Sequence, residues 1–226
     1  MNGKPPVKRS GLTSNELYER LREMAIHYKL RPGERINEME LSQLFSTSRT
    51  PLREALNRLV AERFLTFVPN RGFYGREFNQ HDIYNLYELR KCIETSAAML
   101  ALERASDADI AAVKAFWEGV SRKTADMPAQ RLVSLDEEFH LRVVALSGNE
   151  EMVRALQAVN ARIHFVRWVD LEGRRGGGYG EHRSLIKALS TRDASRCRTI
   201  LDSHITRRME EIVRVVQAGV VRIYAP

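Results

Sequence analysis

Apolar residues in the first sixty positions follow the three- and four-residue spacing of amphipathic helices. Between residues 13 and 30 this spacing predicts one helix, which ends before the breaker at Pro32-Gly33. A second helix is expected over about residues 37–45. A third follows over about residues 49–63, with a proline in its first turn, where a missing backbone N–H costs nothing.

Two short β-type runs follow the third helix, at residues 65–68 and 73–78, and the turn residues 69–72 separate them. Three helices and a hairpin are the order of a winged helix-turn-helix. Apart from one candidate strand at residues 220–224, the rest of the chain is expected to be helical, over residues 80–105, 107–124, 127–147, 149–169, 181–190 and 193–218. The glycine-rich residues 173–180 predict a loop, because glycine loses much backbone entropy in a helix.

These patterns predict a mainly α protein of two domains. Residues 1–78 are the expected winged helix-turn-helix domain, with residues 1–11 disordered, and residues 79–226 are an antiparallel all-α helical bundle. The size of the chain is consistent with two domains, because 226 residues with 43% hydrophobic content can bury two ordinary cores.

Positive charge is concentrated at the start of the chain. Of a formal net charge of +7, residues 1–78 supply most, with 14 basic and 9 acidic side chains, which suggests an acidic partner there.

Cys92 and Cys197 form no CxxC pair, which favours a reducing cytoplasm. The sequence shows neither a signal-peptide pattern nor the roughly 18 apolar residues of a membrane helix, so a cytoplasmic protein without membrane association is expected.

The third helix has one apolar face and one polar face. Arg49, Arg53 and Asn57 lie four residues apart, opposite the apolar face. A guanidinium group fits a guanine edge or a phosphate, and Ser48 and Thr50 add hydroxyl donors. Two arginines on an isolated helix are more often a solvated basic face, but a preceding helix and a following hairpin tipped by Arg71-Gly72 favour contact with a DNA duplex.

The same region resembles the N-terminal domain of GntR-family transcription regulators. The resemblance lies in Leu30-Arg31-Pro32-Gly33-Glu34-Arg35-Ile36-Asn37-Glu38, Leu41, Ser48-Arg49-Thr50-Pro51-Leu52-Arg53-Glu54-Ala55-Leu56 and Arg71-Gly72. Met39 and Phe64 depart from the family pattern, which often has arginine and glycine there. The resemblance implies contacts with double-stranded operator DNA by Ser48, Arg49, Thr50, Arg53, Arg71 and Gly72.

Four residues in the second domain have the chemistry of metal ligands. Asp136 and His140 lie four apart on a predicted helix, so both side chains leave one face. His182 and His204 lie on the last two predicted helices. Three imidazoles and one carboxylate suit zinc, nickel or a similar divalent ion, although any one of these histidines is by itself more often a packed or surface residue.

As a set, Asp136, His140, His182 and His204 resemble the effector-binding domain of the FadR-like branch of GntR regulators, known as the FCD type. That resemblance implies a divalent metal ion in a helical bundle, and a homodimer. Arg90 lies on the expected inner face of its helix. Either Glu94, one turn later, neutralises it, or, as the family implies, it holds the carboxylate of an acidic effector.

Three functions are compatible with these features. The first is a repressor or activator whose affinity for its operator is controlled by a small carboxylic acid bound beside the metal. The second keeps DNA binding and makes the metal purely structural. The third is a metal-dependent hydrolase, which is disfavoured because there is no HExxH pattern and Glu137 and Glu138 point away from the predicted ligands. A regulator without enzymatic activity is therefore expected.

Overall fold

The structure is a computed structural model, and it describes residues 12–77, 80–122, 127–173, 179–207 and 210. The chain forms two compact units that part between Glu77 and Phe78. No helix among these described residues has the length and apolar character needed to cross a membrane.

The first unit contains three helices and a two-stranded hairpin. Its elements are α1 (Ser14–Ile26), α2 (Glu38–Leu44), α3 (Arg49–Ala61), β1 (Leu65–Val68) and β2 (Gly72–Gly75). Helix α1 starts at a capping box, in which the Thr13 hydroxyl accepts from the Glu16 N–H and the Glu16 carboxylate accepts from the Thr13 N–H. Asn37 caps α2 in a similar way, since its side chain accepts from the N–H groups of Met39 and Glu40.

The core of this unit lies between α1, α3 and the hairpin. Apolar side chains on one face of α3 are buried, namely Leu52, Ala55, Leu56 and Leu59. Strands β1 and β2 pair antiparallel, with Phe67 opposite Phe73. The segment before α2 lies along β2, because the Ile36 N–H donates to the Phe73 carbonyl at 2.8 Å and the Gly75 N–H donates to the Glu34 carbonyl at 3.0 Å.

The second unit is entirely helical over its described residues. Its helices are α4 (Gln80–Arg104), α5 (Asp107–Ser121), α6 (Ala129–Ala145), α7 (Glu150–Gly173), α8 (Tyr179–Ser190) and α9 (194–207). Residues from all six helices form one hydrophobic core, which includes Ala97, Trp117, Phe139, Ile163, Leu185 and Leu201. Helix α4 is unusual because it carries two charged residues, Arg90 and Glu94, on this buried side.

The predicted fold class is confirmed: a winged helix-turn-helix precedes a helical unit. The glycine-rich stretch is more helical than predicted, since Gly173 ends α7 and Tyr179 and Gly180 begin α8. A glycine is tolerated at a helix end because the terminal turn has few intrahelical hydrogen bonds to lose. The expected disorder of residues 1–11, the middle of the glycine-rich loop and the strand at 220–224 lie outside the described residues.

Candidate metal centre and nucleic-acid interface

The polar face of α3 is exposed and cationic. Arg49, Thr50 and Arg53 are all exposed, as is Ser48, the residue that precedes the helix. Ser48 occupies the N-cap position, yet the structure records no side-chain capping bond from it in this described part of the chain. Its hydroxyl is therefore not used to cap α3, and it lies at a helix N-terminus, where backbone N–H groups favour an anion.

A concave surface of about 540 Å³ lies beside α3 and is lined by Arg35, Ile36, Asn37, Glu38, Met39, Arg49 and Arg53. Arg53 is held loosely, with its Nε 3.6 Å from a Glu38 carboxylate oxygen and its guanidinium 5.7 Å from the Phe73 ring centre. At the wing, Arg71 is exposed and Gly72 has φ +94°, a backbone conformation that favours glycine. A Cβ on Gly72 would meet Arg35 at 3.9 Å.

Arg35 thus lies between the wing and the third helix, and it was not among the DNA contacts predicted from sequence. It is exposed and shares the concave surface with Arg49 and Arg53. The signal that could have identified it is its position just before Asn37, the residue that caps α2. Its neighbour Ile36 is buried and bonded to β2, which fixes the backbone from which Arg35 projects.

The second unit brings the predicted ligand residues together in its core. His140, His182 and His204 are buried, and each offers a ring nitrogen within 4.8 Å of the others. Asp136 lies at the edge of the same group, with its Oδ1 3.3 Å from His182 Nε2 and its Oδ2 3.8 Å from His140 Nε2. Helix α6 supplies Asp136 and His140, because residues four apart lie on the same face of a helix. Helix α8 supplies His182, and α9 supplies His204.

The spacing and charge state of these groups fit a divalent metal ion. His182 Nε2 lies 3.3 Å from His140 Nε2. Two nitrogen ligands about 2.05 Å from a tetrahedral ion would be roughly 3.3 Å apart. Burial lowers the pKa of His182 well below its ordinary value, and the positive charge of neighbouring groups lowers it further. Burial likewise lowers the pKa of His204, to about 4, although its bond to Glu181 opposes the shift. Neutral imidazoles, which metals require, are therefore present at neutral pH.

Two of the three imidazoles are bonded to carboxylates through their other nitrogen. His140 Nδ1 lies 2.6 Å from Glu94 Oε2, and both side chains are fully buried. His204 Nδ1 lies 2.7 Å from Glu181 Oε2. The third imidazole differs, since His182 Nδ1 has no hydrogen-bond partner among the residues described. Neither carboxylate was assigned to the metal ligands from sequence, because the pairs are 46 and 23 residues apart.

Arg90 lies next to this centre. Its Nε is 2.5 Å from Glu94 Oε1, which is the neutralising contact that the sequence offered as one alternative. Burial would raise the pKa of Glu94, but the charge of Arg90 and the close contact with His140 outweigh burial and keep the pKa far below its ordinary value. Arg90 Nη2 is buried and has no hydrogen-bond partner within the described structure, so one donor of the guanidinium is still available to a ligand.

Arg167 is a second buried cation at the site, and it was not among the site residues predicted from sequence. It lies on α7, pairs with Asp136, and has its Nη1 3.5 Å from Glu137 Oε1. The signal for it was a lone arginine on the apolar face of α7, one turn after the buried Ile163. The charges of Arg90 and Arg167 each contribute to the lowered pKa of His182, which puts both within electrostatic reach of that ring.

Aromatic side chains cover one side of His182. Its ring centre is 4.3 Å from that of Trp117, edge to face, and 4.3 Å from that of Phe139. Trp117 and Phe139 are themselves 4.9 Å apart. This apolar cover excludes water from one side of the histidine group and lowers the local dielectric, which strengthens any electrostatic contact made there.

Comparisons with known proteins agree with this architecture. Residues 13–74 match the family described as bacterial regulatory proteins, gntR family, and residues 85–207 match the FCD domain. The chain is 40% identical to the Nta operon transcriptional regulator of Aminobacter aminovorans over 201 residues, which are 89% of this chain and 95% of that protein. It is 27% identical to the HTH-type transcriptional repressor GlaR of Escherichia coli, over 86% of this chain and 93% of that protein.

A solved structure, that of E. coli McbR/YncC, shares the fold with a TM-score of 0.69 at 21% identity, over 91% of this chain and 97% of that one. The two matched families divide the chain in the order of its two units, and these relatives are transcriptional regulators rather than enzymes. The chain belongs to the GntR family of bacterial regulatory proteins, in the branch with an FCD domain, and is a DNA-binding transcriptional regulator.

Proposed function

We propose that this regulator binds operator DNA with an affinity set by a small carboxylic acid, which binds beside a divalent metal ion in the helical unit. The observation that carries the proposal is the buried group of three histidines whose ring nitrogens lie within 4.8 Å of one another, with the partly buried Asp136 at its edge. Zinc or nickel suits this donor set best, because imidazole and carboxylate together form a borderline-soft site. Such an ion would offer an open coordination position to a carboxylate oxygen.

The electrostatic surroundings support an anionic effector. Arg90 and Arg167 add two guanidinium charges around the histidine group, and one donor of Arg90 is uncommitted. Arginine recognises carboxylates well because its fork matches their two oxygens. We therefore assign the effector contact to Arg90, with its Nη2 as the donating group and its Nε still bonded to Glu94.

The test is a titration of the purified chain with a panel of acids. Protein loaded with zinc or nickel is mixed with acetate, lactate, succinate or citrate, and affinity for DNA fragments from around its own gene is measured by fluorescence anisotropy. We expect at least one acid to change the DNA affinity about tenfold or more, and the change to disappear in Asp136→Ala. If metal raises the melting temperature but no carboxylic acid alters DNA binding, the metal is structural only and the proposed regulation is wrong.

For the DNA contacts we propose the exposed residues of α3 and the wing tip, Ser48, Arg49, Thr50, Arg53, Arg71 and Gly72. Each arginine that neutralises a phosphate contributes about 0.9 to the slope of log affinity against log salt. Arg49→Ala and Arg53→Ala should therefore weaken binding and flatten this slope, while the control Arg20→Ala, on the exposed face of α1, should leave it unchanged. Equal slopes in all variants would contradict these contacts.

We also propose that the regulator acts in the cytoplasm as a homodimer, in which two winged heads contact the two halves of a near-palindromic operator. A dimer with twofold symmetry on a near-palindromic operator makes twice as many base contacts as a single chain, without a larger DNA-binding domain. Sedimentation of the protein alone and with a DNA duplex tests this. A stoichiometry of one chain for each duplex would contradict it.

A further inference from the structure

Two carboxylates contact histidines of this group through the Nδ1 atom of the ring. Glu94 contacts His140 Nδ1, and Glu181 contacts His204 Nδ1, at 2.6 and 2.7 Å. A carboxylate only accepts hydrogen bonds, so each of these imidazoles must carry its proton on Nδ1. When such a ring is neutral, its Nε2 has a lone pair, which is the form that binds a metal.

Each carboxylate is also held from behind by an arginine. The second oxygen of Glu94 lies 2.5 Å from Arg90 Nε, and the second oxygen of Glu181 lies 2.7 Å from Arg207 Nη1. The arrangement arginine, glutamate, histidine therefore occurs twice, on different pairs of helices. The buried Arg90 orients Glu94 toward the ring of His140, and Arg207, which is more than half exposed, contacts Glu181 from the solvent side.

We propose that Glu94 and Glu181 are positioning residues for the metal centre, which orient His140 and His204 and direct Nε2 of each ring to the ion. This inference rests on the metal site of the proposed function and adds the groups that prepare it. His182 is the contrasting case, because its Nδ1 has no such partner among the described residues. Its ring is held instead by the contacts with Trp117 and Phe139. The tautomers of His140 and His204 are thus fixed before an ion binds, whereas that of His182 is not.

The substitution Glu94→Gln gives the sharpest test. Arg90 is buried and only donates, so it claims the amide oxygen of the glutamine and leaves the NH₂ group to face His140. That group donates, which forces the His140 proton onto Nε2 and removes the lone pair from the metal side. An isosteric change should therefore reverse the tautomer. The matched control is Glu138→Gln on α6, whose carboxylate is partly exposed and pairs with Arg142 at 2.6 Å.

The first measurement is the tautomer state of the metal-free full-length chain, labelled with ¹⁵N-histidine and recorded by long-range ¹H–¹⁵N correlation at pH 7.5. We expect His140 and His204 to be protonated on Nδ1 in the wild type and in Glu138→Gln. We expect Glu94→Gln to move the His140 proton to Nε2, and Glu181→Ala to release His204 into a mixture. Wild-type rings protonated on Nε2 would overturn the inference.

The second measurement is affinity for Co²⁺, read by its absorption spectrum in competition with a chromophoric chelator. Loss of a residue that orients a ligand typically costs 10- to 100-fold in metal affinity, so about this loss is expected for Glu94→Gln and Glu181→Ala. The control should stay within twofold. Unchanged cobalt binding in both variants would overturn the inference alone, whereas no cobalt binding by the wild type would overturn the metal site as well. Because Glu181 is partly exposed, Glu181→Ala tests the inference if Glu94→Gln does not fold.

Discussion

Replacing Arg192 with methionine should destabilise the helical unit by about 3 kcal/mol, because this side chain donates hydrogen bonds to the backbone carbonyls at the C-terminal end of α4. Arg192 follows α8, and its guanidinium donates to the carbonyls of Ala101 and Leu102 at 3.2 Å and of Ala105 at 2.8 Å. The carbonyls of Ala101 and Leu102 belong to the last turn of α4, and Ala105 follows it directly, where intrahelical donors run out. Methionine retains the length and apolar stem of the side chain and removes every donor.

The magnitude follows from what each carbonyl loses. A hydrogen bond from a charged donor contributes about 1.5 to 3 kcal/mol when it is sheltered, and the lower value applies here because Arg192 is about a third exposed. The Ala101 carbonyl keeps the Ala105 N–H as a partner, so its loss is smaller. The ion pair with Asp107 adds less than about 1 kcal/mol, since that carboxylate is 92% exposed. A sum of about 3 kcal/mol corresponds to a fall in melting temperature of roughly 6 to 12 °C in a domain of this size.

The assay is urea unfolding followed by tryptophan fluorescence. Both tryptophans, Trp117 and Trp168, lie in the helical unit, so the signal reports that unit and not the DNA-binding head. The control is Arg196→Met, an exposed arginine one turn later on α9, which should change the free energy of unfolding by less than about 0.5 kcal/mol. If Arg192→Met and Arg196→Met destabilise equally, the carbonyl contacts contribute nothing and the reasoning is refuted.

Three further changes test the local packing. Gly75→Ala should unfold the wing, because the added Cβ would collide with the Arg31 carbonyl, and circular dichroism with loss of DNA binding would show it; normal stability would contradict this contact. Gly119→Ala should instead stabilise the helical unit by about 0.5 to 1 kcal/mol in urea unfolding, because α5 has open space there and alanine is the better helix former; a loss of stability would show a hidden clash. Tyr18→Phe should cost about 1 kcal/mol by removing the 2.6 Å bond to Glu62. Burial, together with Glu62, raises the pKa of Tyr18 to about 12, so this cost should be the same at pH 6 and pH 9 in thermal unfolding; a cost that changes between them would contradict the bond.

Local patterns in the sequence were sufficient for much of the DNA-binding unit. The spacing of apolar residues on α3 specified its buried face, and the sequence pattern placed the starts of α1 and α2 near Thr13 and Asn37, which the structure shows to be N-caps. These features depend on residues within one or two helical turns, so periodicity and capping chemistry reveal them. Arg35 was not identified because its proximity to Gly72 depends on how the hairpin lies against the segment before α2.

In the metal centre, too, the sequence predicted local pairs of residues and the tertiary structure determined the rest. Sequence alone paired Asp136 with His140, because residues four apart share one face of a helix, and it proposed His182 and His204 as their partners. Only the tertiary structure placed those two beside the pair, bound Glu94 and Glu181 to the histidine rings, and brought Arg167 to Asp136. The physical reason is that a helix specifies neighbours along its own axis, whereas contacts between helices depend on the packing of the whole core, which carries no periodic signal in the chain.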